Sequence, residues 1–181
     1  MSAQQSDLPH GVVKCDLSGD INSFIKKEQS PDPQTAKSTS TEWADAQKNG
    51  ATAAYVAIYT DSAANCSAIK NSGSDLSAAN YKLVVNFVEQ FKDEKSAANA
   101  YTSGSIFNIS QSNFHSAGSQ PIEGTKTGLT ANSLALSVAI SNQTFYIALW
   151  QNKTFVVILV ALNLDPAASK NVALAENGRI K

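Results

Sequence analysis

A chain of 181 residues, 43% hydrophobic and 16% charged, is long enough for one buried core and too apolar for a disordered chain. Its 14 Lys+Arg nearly balance its 15 Asp+Glu, and apart from Lys26-Lys27 the basic residues are scattered. That excludes the electrostatic footprint that a phosphate backbone or an anionic membrane surface would need, so no nucleic-acid partner is expected.

In chain order, residues 1–6 read as a disordered polar tether and residues 7–181 as a single α+β domain. The opening MSAQQSDLPHGVV has no basic start followed by an apolar run, as a signal peptide would. An exported form would therefore be the processed one, with room for a membrane tether upstream of residue 1. SGDINSFIKKEQ places Ile21, Phe24 and Ile25 on one helical face, and SPDPQ ends that helix. Thr39-Ser40-Thr41-Glu42 has the pattern of a capping box and predicts a second helix through Trp43 and Ala46 that ends at Gly50. The N-terminal third is thus expected to be largely helical.

ATAAYVAIYT, from Ala51, is β-branched and aromatic enough for a strand, and Asp61 to Ser74 reads as a polar connection or short helix around Cys66. YKLVVNFVEQF puts Leu83, Val85, Phe87 and Phe91 on one side of a strand, with Lys82, Asn86 and Gln90 on the other. Glu89 falls on the apolar side, where its carboxylate is expected to reach water near the strand end. Asp93 caps a helix over Ser96 to Thr102 that Gly104 ends. From Asn108 to Thr130 no period is visible, which marks either a functional loop or hidden elements.

The last third carries the plainest pattern. TFYIALWQNKTFVVILVALNLD is interrupted at Gln151 to Thr154, so it reads as two strands and a turn and not as a membrane span. Turns centred on Asn142-Gln143 and Asn152-Lys153 would pair Ile140 with Phe145, Val138 with Ile147, Leu149 with Val156, Ile147 with Ile158 and Trp150 with Phe155. One face then holds large aliphatics such as Leu134, Leu149 and Ile158. The other holds Ala135, Ser137, Ala139 and Ala148 beside Tyr146, Trp150 and Phe155. Asp165-Pro166 opens a closing helix that Gly178 stops.

Cys15 and Cys66 are too few for a four-ligand zinc site and form no C-x-x-C pair. The even count points to one disulfide, while two buried free thiols in a cytosolic protein remain the alternative. Of the two histidines, His10 lies just past the opening tether and His115 in the patternless loop with Ser116, Ser119 and Glu123. No G-x-S-x-G elbow supports a nucleophile there. Without H-E-x-x-H, a P-loop or G-x-G-x-x-G, no metal and no cofactor are expected.

The run VVNFVEQFKDEKSAANAY, a strand followed at once by a helix, then a loop, apolar hairpin strands and the closing helix ALAENGRI, resembles bacterial exported lipoproteins and the extracellular sensor domains of mycobacterial receptor kinases. The resemblance spans about Tyr81 to Ile180. It implies an antiparallel sheet that carries helices and a cleft, with a disulfide common, and it transfers no functional residue.

The expectation is therefore an α+β domain with an antiparallel sheet of about five strands and helices packed on it. It would be an extracellular or cell-surface binding or sensing module, not an enzyme, with a small apolar or sugar-like ligand or another surface protein as partner. The closing helix, Pro166 to Asn177, is expected to lie close over the small residues of that second face; with only partial cover, Tyr146, Trp150 and Phe155 would line one end of a groove rimmed by residues 108–130, with His115 as a further candidate ligand-binding residue. The alternatives are a hydrolase built from that loop and a purely structural surface protein.

Overall fold

The computed structural model describes residues 2–72, 79–104, 107, 109–116 and 120–180. Among these residues its sheet is antiparallel throughout and has eight strands: β1 (Val13–Lys14), β2 (Gly19–Asp20), β3 (Ala51–Thr60), β4 (Leu83–Phe91), β5 (Ile122–Glu123), β6 (Ser133–Ile140), β7 (Gln143–Asn152) and β8 (Phe155–Leu162). The order across the sheet is β1-β3-β4-β8-β7-β6-β5, and β2 also pairs with β3. The five long strands correspond to the expected five. The other three are two-residue pairings at the edges.

Six α-helices accompany the sheet among the described residues: α1 (Ile21–Glu28), α2 (Pro33–Lys48), α3 (Ala63–Ser72), α4 (Glu94–Ser103), α5 (Gln111–Ser116) and α6 (Pro166–Asn177). Aspartates open four of them. Asp20, Asp32, Asp93 and Asp165 each accept the backbone N–H three residues on, which satisfies a donor that the first turn leaves free. The Thr39–Glu42 capping box is a correction: α2 already begins at Pro33, and Thr39 is a buried residue inside it. Pro33 at the first helical position with Asp32 before it is the stronger start signal.

Both faces of the sheet are covered. On one, Ile21 and Phe24 of α1, Trp43 of α2, Ile69 of α3 and Tyr101 of α4 join Phe87, Leu149 and Ile158 in one apolar cluster. On the other, Val172 and Ala173 of α6 join Ala3, Leu8 and Val12, packed over Tyr146, Trp150 and Leu159. The small residues expected under a closing helix, Ala135 and Ala148, lie in this second cluster. A disulfide joins Cys15, beside β1, to Cys66 in α3, with the Cα atoms 5.3 Å apart.

Covering both faces changes the reading of β4. Asn86 and Glu89, expected to meet water, are both fully buried, because β4 is a central strand between β3 and β8. The opening residues are not a loose tether either. The Ala3 N–H donates to Asn86 Oδ1 at 2.9 Å, and the Tyr59 hydroxyl donates to the Ala3 carbonyl at 2.8 Å. Arg179 then grips Asp7 through two hydrogen bonds, at 2.9 and 2.7 Å.

The hairpin faces stand as expected, but the registers shift by two residues. Phe145 pairs with Val138 and Ile147 with Leu136, while Leu149 pairs with Ile158 and Ile147 with Val160. Trp150 therefore faces Val157, and Phe155 faces Asn152. The turns place Ser141 and Lys153 at positive φ, 54° and 53°, so the two-residue loops are Ser141-Asn142 and Lys153-Thr154. A slip of two preserves the alternation of faces, which is why the face pattern alone did not detect it.

Candidate functional site

An apolar cleft lies on the α6 side of the sheet, where β6 and β7 run out past the helix start. It encloses about 440 Å³. Its floor is Ala135 and Ser137 of β6 with Tyr146 of β7; Pro166, Ala167 and Lys170 of α6 form one wall, and Ile122 and Thr127 the rim. Alternation along extended strands places these β6 and β7 side chains on one face, and small residues beside a rigid ring leave the hollow. Burial pushes the Tyr146 phenol up to about 12, so it stays a neutral hydroxyl at any physiological pH.

The rim belongs to the segment that showed no period. Within residues 108–130 the structure has α5, β5 and a 3-10 turn over Gly124–Thr127; Asn108 and residues 117–119 lie outside the described residues. Thr127 is buried, its hydroxyl 2.7 Å from that of Ser133 and accepting the Leu129 N–H at 3.0 Å. Gly128 follows at φ +85°, where a Cβ would stand 3.3 Å from Leu174 Cδ2. Glycine thus serves both the left-handed backbone and the close approach to α6.

The candidate residues named from the sequence do not share one groove. Trp150 is 0% exposed and lies under the α6 side of the sheet, so it lines no cleft, and its indole N–H meets no acceptor among the described residues. Phe155 borders a different hollow, of about 470 Å³, with Tyr55, Val88 and Gln90. His115 lies elsewhere again. It lies in the last turn of α5, with Nε2 in hydrogen-bond contact with the Glu123 carboxylate and about half of its side chain exposed. Ile122 turns into the Tyr146 cleft, so its extended neighbour Glu123 turns to the opposite side, and His115 with it.

Tyr146 is therefore the one aromatic candidate in the cleft. Ile122 and Thr127 belong to the segment expected as a rim but were not named individually, because a two-residue strand and a single 3-10 turn leave no periodic trace; Lys170 of α6 was not anticipated. Ser119 lies outside the described residues, as does the Ser116 side chain, so no nucleophile is assigned beside His115. Among the described residues no cluster of three or more His, Cys, Asp or Glu is arranged to hold a metal ion.

No protein-family model matches this chain, and no curated protein matches it. Among solved structures, the chain is similar to the extracellular domain of PknH from Mycobacterium tuberculosis. The identity is 10% and the TM-score 0.42, with 93% of this chain and 82% of that one covered. A likeness that distant bears on neither mechanism nor ligand.

Proposed function

We propose that this chain is an extracytoplasmic binding or sensing module of an exported or cell-surface bacterial protein, and that it takes a small, largely apolar ligand in the Tyr146 cleft. The observation that carries the reading is the cleft itself: Lys170 is the one charged residue among those lining it, and small residues stand beside a buried ring, a composition typical of ligand pockets. The Cys15–Cys66 disulfide supports an oxidising compartment. Among the described residues no helix is long and apolar enough to cross a membrane, so attachment to a surface would be through a flanking segment or a partner. A hydrolase remains the second reading, because His115 and Glu123 form a histidine–acid pair.

Native mass spectrometry of protein secreted from its bacterial host tests the proposal. An apolar adduct should accompany the wild type and be lost from Ser137→Trp, whose indole would fill the cleft. An adduct retained in that variant, or no adduct in either protein, would sink the reading.

A further inference from the structure

On the opposite face of the sheet, between α2 and α4, lies a hollow of about 420 Å³ with different chemistry. Its floor is Phe91 of β4, with Ala46 from one helix and Ala100 from the other; its walls are Asp45 and Asn49 of α2, and Asn99 and Ser103 of α4. Alanines at 46 and 100 are too short to fill the gap between the helices.

Both ends of this trough are fixed by the chain. At one end α2 gives way to Gly50, at φ +100°, where a Cβ would fall 2.9 Å from Ser96 Oγ at the start of α4. The Gly50 carbonyl there accepts the Lys92 N–H at 2.9 Å. At the other end Glu42 accepts the Phe107 N–H at 2.8 Å. At the Gly50 end the two helices are held at a set spacing, and the trough between them is open to solvent.

The walls supply carboxamides and hydroxyls that both donate and accept, together with the carboxylates of Glu42 and Asp45. Asp45 is paired with Lys48 at 2.6 Å, and Lys92 stands beside Gly50 and Ser96 at one end, while among the described residues that line the trough none is Lys or Arg. At the Glu42 end no cation among the lining residues offsets the carboxylate, so an anionic group is disfavoured there, and an apolar ligand would leave the amides it covered without partners. We infer that this trough binds a polyhydroxylated ligand bearing an amino group, an amino sugar being the simplest example. Its hydroxyls exchange hydrogen bonds with Asn49, Asn99 and Ser103, and its ammonium lies against Glu42. The inference is independent of the Tyr146 cleft, which lies on the other side of the sheet.

Two-dimensional 1H–15N NMR of the full chain tests it, with D-glucosamine, D-glucose and D-glucuronate as probes. Glucosamine should shift the amides of Asn49, Asn99 and Ser103 saturably, glucose should bind about tenfold more weakly, a difference of about 1.4 kcal/mol, and glucuronate should leave them unmoved. Glu42→Gln keeps an acceptor for the Phe107 N–H but removes the charge, and it should weaken glucosamine to the level of glucose. Asn99→Ala, on the exposed wall, gives a second variant if the first disturbs the fold. Absence of saturable shifts, equal binding of glucuronate or glucose, or unchanged affinity in the folded variants would overturn the inference.

Discussion

The Asn86 carboxamide donates a 2.8 Å hydrogen bond to Glu176 Oε2, joining the central strand of the sheet to the closing helix through two residues that are both fully buried. Asn86 holds the Ala3 N–H through its other atom. One polar contact thereby fastens the strand, the last helix and the first residues.

Burial lifts the Glu176 carboxyl to about 8, against the opposing pull of Asn86 and Arg179. Asp7 adds to the rise, and Tyr59 is a further titratable neighbour, its phenol also raised by burial. Because the folded value lies above the unfolded one, stability from this group is full below about pH 4.5 and falls by roughly 1.4 kcal/mol per pH unit until about pH 8, where it is lost. Urea melts at pH 5 and pH 8 should show this decline in the wild type and a much flatter profile in Glu176→Gln. Equal slopes would remove Glu176 as the cause.

The disulfide closes a loop of 51 residues, which the chain-entropy estimate values at up to about 4 kcal/mol. Thiol titration of the denatured, unreduced protein should find no free sulfhydryl. Dithiothreitol should then lower the urea midpoint, and an unchanged midpoint would mean that the bond contributes nothing to stability.

Ile158 is buried against Leu149, its partner across the β7–β8 pair, so Ile158→Ala should cost about 2–5 kcal/mol. Ile140, at the end of β6, is 56% exposed, and its truncation should stay within about 0.5 kcal/mol of the wild type. Chemical denaturation of both variants checks the assignment. Comparable losses would show that the end of β6 is covered in solution.

In a Trp43→Phe background, iodide should fail to quench Trp150, which is 0% exposed beneath the α6 face. Efficient quenching would mean that α6 or the opening residues leave the sheet.

The sheet faces, the helix-opening aspartates at 93 and 165 and the place of Tyr146 were legible because each rests on local alternation or a single capping residue. Four features were not. The docking of Ala3 and Asp7 runs through backbone groups and one ion pair, with no apolar period to announce it. The burial of Asn86 and Glu89 follows from cover on both sides of β4, whereas an isolated strand with alternating polar residues reads as half solvated. Trp150 and Phe155 were set side by side by a turn centred on Asn152-Lys153, but the chain turns at Lys153-Thr154 and separates them. The same gap hid the α2–α4 trough, since Asn49 and Asn99 come together only through the sheet.

Arg179 reaches both the Asp7 carboxylate and the Ser2 carbonyl, so the two ends of the described chain leave the domain side by side. Any support attached at either end, whether a lipid anchor, a neighbouring domain or a biosensor chip, would therefore sit on the same side of the sheet as α6. The trough between α2 and α4 would face away from that support, and an immobilised domain would present it to the surrounding solution whichever terminus carried the attachment.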